Sequence, residues 1–215
     1  MNLLLCVEKR TFKKRMAIHT GTPIALLHGL GASSLGMLPL AWYLQNRGFQ
    51  RVVALDYDPN GQSAGASAIQ VSRLLHVHGF KLHEPLIIIG HSMGGVVGNQ
   101  LHKHGWKLAH AIYIGSPLHG ARALHTVRAL LPTWLTAAIW RSSYTELAAK
   151  GRERAPPHRF FTISLGWGAS RFDGCVWSDE AVLDPCRHAH LAWTDHRTAL
   201  CSPTLWHMVL QELVK

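Results

Sequence analysis

The segment Gly90–Gly94, which reads Gly-His-Ser-Met-Gly, constrains the fold of this chain more than any other. It stands between the apolar run 85–89 and the segment 95–101, whose pattern is typical of a helix. A G-x-S-x-G pattern in this context indicates a nucleophile elbow, in which a sharp turn lifts the hydroxyl of Ser92 clear of the sheet edge. The flanking glycines fit because a strained serine backbone needs neighbours without bulk. The alternative is a coincidental glycine-rich turn between a strand and a helix.

Apolar runs alternate with helical patterns along the chain, which indicates βαβ units and an α/β fold, a mostly parallel sheet flanked by helices. Strands are predicted at 24–27, 52–55, 85–89, 111–114, 160–165 and, more weakly, 188–193. Helices are predicted at 35–47, around 68–75, from the serine turn to about 104, and at 204–214. The segment before Ile24 has room for at most one or two strands. We expect a single domain, 1–215.

The composition is that of a globular protein. Of the 215 residues, 47% are hydrophobic and 16% are charged. No run approaches the ~20 apolar residues of a membrane span. The apolar segment 1–7 is too short for the core of an export signal, and the basic residues within 9–15 follow it instead of preceding it. These features favour a cytoplasmic location.

The formal net charge of +10 suggests that an acidic partner should be considered. Lys and Arg are scattered, with clusters only at 9–15 and 150–154, and no pattern of a nucleic-acid-binding domain accompanies them. We therefore expect no nucleic-acid partner. A solvated basic surface explains the charge, and a weak peripheral contact with an anionic membrane surface is the other interpretation.

Cysteine and histidine spacing indicates neither a disulfide framework nor a metal site. No C-x-x-C pair occurs among the four cysteines, which are Cys6, Cys175, Cys186 and Cys201. Reduced thiols are expected, because a Cys175–Cys186 bridge would matter only in an exported protein. His188 and His190 form a His-x-His pair that could bind a structural metal together with Asp184. Our prediction is that no metal is bound.

A serine hydroxyl becomes a good nucleophile only when a neighbouring base takes its proton, and that base needs a carboxylate to orient it. In a fold of this kind the three groups follow in the order serine, acid, histidine, each just past a strand at the carboxyl edge of the sheet. Asp173 fits the acid position best, because it lies in a turn shortly after the strand 160–165. Asp179 and Asp184 are the alternatives.

The base is harder to select by residue type, because the chain has 16 histidines. His196 lies in the polar loop 194–198, between the last strand and the last helix. From there a mobile imidazole can reach back to Ser92 and accept its proton. His188 and His190 alternate along a strand, and His207 lies inside a helix. We therefore expect His196 to be the base.

A developing oxyanion needs two fixed N–H donors aimed at it. The helix after the serine offers the backbone N–H of Met93. The segment His28-Gly29-Leu30-Gly31, directly after the first strong strand, offers a second donor, the N–H of Leu30. Glycines on either side let this backbone approach a substrate closely.

Taken in order, these motifs resemble those of the α/β-hydrolase superfamily, in particular its small bacterial lipases and esterases. Five segments, which together span about nine tenths of the chain, carry the resemblance: Leu27–Gly31, Gly90–Gly95, Gly115–Gly120, Asp173–Val176 and His196–Pro203. The residues that support the site motifs are His28, Gly29, Gly31, Gly90, His91 and Gly94.

The resemblance implies a serine hydrolase that cleaves carboxylic esters without a cofactor. Ser92 would be acylated, and water activated by His196, with Asp173 as its acid partner, would release the acyl group. The substrate would be a small-molecule ester or a lipid-like molecule. A thioesterase, acyltransferase or amidase on the same scaffold is the alternative. A non-catalytic binding protein is less favoured, because it has no need of all three residues.

Residues 121–157 are predicted to form an insertion of two helices, 124–131 and 133–149, followed by a basic linker that contains prolines. Apolar residues recur in these helices at helical spacing. The proteins that the chain resembles carry a cap or lid at this place. Such a lid over Ser92 would exclude water and hold an acyl chain. The alternative is that these helices simply pack on the sheet.

Overall fold

The computed structural model describes residues 21–60, 62–123, 159–168, 170–184 and 187–215. The two helices predicted for the insertion and any strand before Ile24 lie outside these ranges, as do Cys6 and Cys186. In the part of the chain that is described, no helix has the length and hydropathy needed to cross a membrane.

In the described ranges, six parallel strands form a sheet at the centre of the fold, in the order β2-β1-β3-β4-β5-β6. The strands are β1 Ile24–Leu27, β2 Val52–Leu55, β3 Leu86–His91, β4 Leu108–Ile114, β5 Phe160–Gly166 and β6 His188–Ala192. Each corresponds to a predicted strand, although β4 begins three residues earlier than its apolar run suggested. The expected α/β class with a mostly parallel sheet is confirmed.

The central strands are apolar throughout because both of their faces are covered. Along β1, Ile24 and Leu26 enter the core on one face of the sheet, whereas Ala25 and Leu27 enter the core on the other. All four side chains are fully buried. A strand buried on both sides needs no polar alternation, which explains the continuous apolar runs in the sequence.

Helices cover both faces of the sheet. They are α1 Leu38–Gln45, α2 Ala64–Val77, α3 Met93–Gln100, α4 Ser178–Ala181 and α5 Pro203–Leu213, with short 3₁₀ helices at Ser34–Met37, Leu101–His104 and Thr198–Cys201. Apolar side chains of α1 and α5 line one core, and those of α2 and α3 line the other. The helix predicted at 35–47 is thus a 3₁₀ turn followed by α1, which has a proline in its first turn.

The strand order changes direction at β1, which pairs with β2 on one side and with β3 on the other. In an open parallel sheet this arrangement leaves a crevice at the carboxyl ends of the two central strands. The loops that follow β1 and β3 meet there, and those after β4, β5 and β6 continue along the same edge. These loops carry the residues that the sequence motifs single out.

Candidate active site

Ser92 occupies the turn between β3 and α3, with φ 53° and ψ −125°. Positive φ is strained for a residue with a side chain. Two backbone hydrogen bonds hold this turn. The Ser92 N–H donates to the carbonyl oxygen of Ile114 over 2.8 Å, and the Ser92 carbonyl oxygen accepts from the Gly95 N–H over 3.1 Å. The strained serine backbone that the G-x-S-x-G pattern predicts is therefore present.

The glycines on either side of Ser92 permit a very close approach of backbone segments. A Cβ atom on Gly90 would overlap the backbone of Gly95, and one on Gly94 would overlap the carbonyl group of Leu27. Both positions therefore require glycine. Their absence of side chains lets α3 begin directly against the ends of β1 and β3.

His196 and Asp173 form a buried pair. The Nδ1 atom of His196 lies 2.7 Å from Oδ2 of Asp173, and the His196 N–H donates to the Asp173 carbonyl oxygen over 2.9 Å. The second carboxylate oxygen, Oδ1, accepts from the backbone N–H groups of Cys175 and Val176 at 2.9 and 2.7 Å. The carboxylate is thus fixed in orientation. Because Nδ1 carries the proton that Asp173 accepts, Nε2 of His196 is left as the basic nitrogen.

The end of β4 brings Ser92 beside this pair. Ile114, the last residue of β4, accepts the Ser92 N–H. At Gly115, which has φ 52°, the position of a Cβ atom lies 3.4 Å from both Asp173 Oδ2 and His196 Nδ1. Within the described ranges, no hydrogen bond joins the Ser92 hydroxyl to the His196 ring. Such bonds are often formed only when substrate binds.

The loop after β1 lies directly against Ser92. A Cβ atom on Gly29 would come 2.8 Å from Ser92 Cβ and 3.3 Å from its Oγ. Among the residues that the structure describes, neither the N–H of Leu30 nor that of Met93 donates a hydrogen bond. Met93 begins α3, so its N–H lies at the positive end of a helix. The Met93 N–H directly follows Ser92, and the Leu30 N–H belongs to the residue after Gly29, whose backbone lies against the serine.

Contacts with the segment after β2 hold this loop in place. The Gly31 N–H donates to Asn60 Oδ1 over 3.1 Å, and the hydroxyl of Tyr57 donates to the His28 carbonyl oxygen over 2.7 Å. The His28 and Tyr57 rings also pack together, with their centroids 4.7 Å apart. Burial raises the pKa of Tyr57, so its hydroxyl stays a neutral donor. The segment after β2 therefore holds the backbone of the 28–31 loop in position.

The sequence identifies His91 only as part of the serine motif, yet its side chain contacts the loop that carries His196. His91 Nε2 lies 2.8 Å from the carbonyl oxygen of His196, and the two ring centroids are 4.8 Å apart. No signal in the sequence could have revealed this contact, because the two residues are 105 positions apart. Gly115 was also missed as a site residue, although its Gly-Ser-Pro segment was noted as part of the resemblance.

The alternative carboxylates lie in other environments. Asp179 forms an ion pair with Arg122, with Asp179 Oδ1 and Arg122 Nη2 2.6 Å apart, at the exposed surface. Asp184 lies in the segment that leads from α4 to β6. Of the three candidate carboxylates, Asp173 is the one that contacts His196.

The His188–His190 pair singled out in the sequence lies against a hydroxyl group of β5. His188 Nε2 and His190 Nδ1 both contact the hydroxyl of Ser164, at 3.1 and 2.8 Å. In the described ranges, no group of three or more His, Cys, Asp and Glu side chains could hold a metal ion. Cys175 and Cys201 are free thiols.

The parallel sheet with helices on both faces, together with the strained serine turn at its carboxyl edge, defines the α/β-hydrolase class. The chain belongs to the Hydrolase_4 family, described as serine aminopeptidase S33, whose model matches residues 20–159. No curated protein sequence matches the chain.

Solved structures with the same fold include lipases and esterases. The mature Bacillus licheniformis lipase BlEst2 has 18% identity and a TM-score of 0.66, covering 91% of this chain and 93% of its own. The Pyrococcus furiosus esterase PF2001 has 18% identity and a TM-score of 0.59, covering 90% and 81%. The N-acyl homoserine lactonase AidH, complexed with N-butanoyl homoserine, has 14% identity and a TM-score of 0.59, covering 90% and 89%. At these identities the likeness establishes the fold.

Proposed function

We propose that the chain is a serine hydrolase that cleaves carboxylic esters, with Ser92 as nucleophile, His196 as base and Asp173 as the acid that orients it. The observation that carries the proposal is the 2.7 Å hydrogen bond between His196 Nδ1 and Asp173 Oδ2 beside a strained serine turn. This bond directs the basic Nε2 nitrogen away from the carboxylate and leaves it available to a hydroxyl.

The first half of the reaction acylates the enzyme. His196 Nε2 takes the proton of the Ser92 hydroxyl as Oγ attacks the ester carbonyl carbon. The resulting oxyanion is stabilised by the N–H groups of Leu30 and Met93, which donate to no other described residue. When the tetrahedral intermediate collapses, the C–O bond to the alcohol breaks, and His196 gives its proton to the departing alkoxide oxygen.

The second half releases the acyl group. Water attacks the acyl carbon of Ser92 while His196 takes one of its protons, and the acid leaves as Ser92 regains a proton from His196. During each half the imidazole is positively charged for a moment. The Asp173 carboxylate stabilises that charge directly. The scheme needs no cofactor.

Small or lipid-like esters are the proposed substrates. The ester preference is supported by the lipase and esterase names of the structural neighbours. Apolar surface is also available at this edge of the sheet, because the exposed indoles of Trp167 and Trp193 follow β5 and β6 and pack edge to face, with centroids 6.3 Å apart. The insertion 121–157 is proposed as a lid. A weak contact with anionic lipid surfaces fits the net charge of +10.

The second candidate is hydrolysis of an amide bond, which the family description, a serine aminopeptidase, favours. Both reactions use the same nucleophile and base, because they differ only in the leaving group. A thioesterase or acyltransferase would use them as well. The proposed nucleophile and base serve all of these reactions, so the leaving group has to be identified by experiment.

A fluorophosphonate probe and a substrate panel test the proposal. We expect the probe to label the wild-type chain at Ser92, and Ser92→Ala to lose both labelling and turnover while it stays folded. Ser116→Ala is the matched control, because Ser116 is also buried nearby, but its hydroxyl makes only long contacts of 3.4 Å to carbonyl oxygens. Near-normal turnover in Ser92→Ala would refute the mechanism. The panel compares p-nitrophenyl esters of short and long acyl chains with acyl-CoA thioesters and aminoacyl p-nitroanilides.

A further inference from the structure

The side chain of His91 is buried between the serine turn and the loop that carries His196. It directly precedes Ser92 at the end of β3, and it contacts His196 twice, through a polar atom and through its ring. The mechanism proposed above does not use it. A buried imidazole so close to the reacting groups nevertheless has consequences for their geometry.

The chemistry of the contact fixes the tautomer of His91. The partner of its Nε2 atom is a backbone carbonyl oxygen, which can only accept a hydrogen bond. His91 must therefore carry a proton on Nε2 and donate it. Burial, and after it the charge of the neighbouring His196, lower the pKa of His91 to about 3. The ring is thus a neutral donor over the whole range in which a serine hydrolase works.

Three groups of His196 are held by two residues. Asp173 accepts hydrogen bonds from the Nδ1 atom and the backbone N–H of His196, and His91 donates to its carbonyl oxygen. The contacts of Asp173 fix His196 relative to the acid loop only. The contact of His91 fixes it relative to β3, and hence relative to the next residue, Ser92.

We propose that His91 is a positioning residue, which sets the distance between the Ser92 hydroxyl and the imidazole of His196 by holding the backbone carbonyl of His196 against the end of β3. This inference rests on the proposed function. His91 itself touches neither the substrate nor the transferred proton. We expect loss of this contact to lower the reaction rate strongly, because a displacement of about 1 Å between reacting groups can lower a rate on the order of 10²-fold.

The neutral state of His91 also matters when His196 becomes protonated. The charged and titratable groups that act on His91 are His196, Asp173 and His28. A positive charge on His91, with its ring centroid 4.8 Å from that of His196, would oppose formation of the imidazolium. A neutral donor holds the base without this repulsion, so a permanently charged residue could not replace it.

The test compares His91→Gln with His91→Met. The Nε2 atom of glutamine lies as many bonds from the backbone as that of histidine and donates a hydrogen bond, whereas methionine has similar length and no donor. With p-nitrophenyl acetate we expect kcat to fall at least tenfold in His91→Met, with KM changed less than threefold, and to recover to within about threefold of wild type in His91→Gln. Equal losses in the two variants, or near-wild-type kcat in His91→Met, would overturn the inference.

A second measurement does not depend on activity. In ¹⁵N-labelled protein the Nδ1 proton of His196, bonded to Asp173, should give a far-downfield NMR signal. We expect this signal in wild type and His91→Gln, and its broadening or loss in His91→Met at an unchanged melting temperature. An unaltered signal in His91→Met would refute positioning by His91. If the wild-type chain shows the signal but hydrolyses nothing and resists the fluorophosphonate, the proposed function fails separately.

Discussion

Asp173 holds His196 at two points, because its carboxylate accepts from Nδ1 over 2.7 Å and its carbonyl oxygen accepts from the backbone N–H over 2.9 Å. The first bond selects the tautomer of the imidazole, and the second ties the loop after β6 to the loop after β5. The two side chains therefore keep their relative orientation even if the loops shift together.

Asp173→Asn is expected to lower kcat by about 10³–10⁴-fold, because an amide can donate towards Nδ1 and favour the wrong tautomer of His196. Steady-state kinetics with a p-nitrophenyl ester measure this loss. The control is Asp179→Asn, which removes only an exposed ion pair with Arg122 and should leave kcat within twofold. If Asp173→Asn retained more than a tenth of the activity, another carboxylate would have to serve the base.

Gly29→Ala is expected to reduce kcat/KM more than tenfold and to slow fluorophosphonate labelling. The new methyl group would lie 2.8 Å from Ser92 Cβ, so either the serine or the loop with Leu30 must move. Gly36→Ala is the matched control, because its Cβ would meet only Leu200, at 3.9 Å. The idea that the Gly29 backbone abuts the nucleophile fails if both variants react at the wild-type rate.

The pKa of His91 predicts a specific loss of stability in acid. In the unfolded chain His91 titrates near 6.5, whereas in the folded chain its pKa is about 3. Between these values the unfolded chain binds a proton that the folded chain excludes. With respect to His91, the free energy of unfolding is therefore at its maximum above about pH 6.5. It declines as the pH falls towards 3, by up to about 1.4 kcal/mol per pH unit.

Urea unfolding measures the effect at about pH 7, which lies above this window, and at about pH 5 and about pH 4, which lie within it. His91→Gln lacks the titrating group, so its free energy of unfolding should fall less steeply with acid than that of wild type. Parallel curves for the two proteins would mean that the His91 ring takes up a proton in the folded state as readily as in the unfolded one.

Glu212 should contribute to stability and not to activity. Its buried carboxylate accepts from Lys215 over 2.8 Å and from Arg159 over 3.3 Å, and lies 3.4 Å from His110 Nε2. Burial alone would raise the pKa of Glu212, but His110 and Lys215 outweigh it and lower the pKa to about 2. The stability that the ionised Glu212 carboxylate contributes is at its maximum above about pH 4.5 and is lost as the pH falls towards 2.

Glu212→Gln is accordingly expected to lower the free energy of unfolding by about 1–3 kcal/mol at pH 7, with kcat unchanged. Chemical denaturation and ester hydrolysis measure the two quantities. Glu84→Gln, which removes the more exposed pair with Arg51, should cost no more than about 1 kcal/mol. A loss of activity in folded Glu212→Gln would contradict this prediction, because it would mean that the Glu212 cluster affects the geometry around Ser92.

The elements that the sequence predicted well are those whose signal is local. The strands β1 and β3 are continuous apolar runs because both faces are buried, and Pro203 begins α5 where a proline without an N–H is tolerated. The helix expected at 35–47 was predicted as one element, whereas a 3₁₀ turn precedes α1. Propensity hardly distinguishes these two forms of helix.

The site was predictable as far as its residues follow strands in a known order. That order placed Asp173 after β5 and His196 after β6, and the structure brings the two into contact. What joins these loops to Ser92 was not predictable. The contacts of His91 with His196, and the packing of the Gly115 backbone close to Asp173 and His196, arise only when distant segments come together.

The separation of 105 residues between His91 and His196 also has a consequence for biosynthesis. A ribosome makes the serine segment before it makes β6, so a nascent chain that ends before β6 contains Ser92 but not His196. Under the proposed mechanism, hydrolysis requires β6 to pair with β5, because that pairing brings the following loop with His196 to the sheet edge. Appearance of fluorophosphonate reactivity during translation would therefore report docking of that final strand.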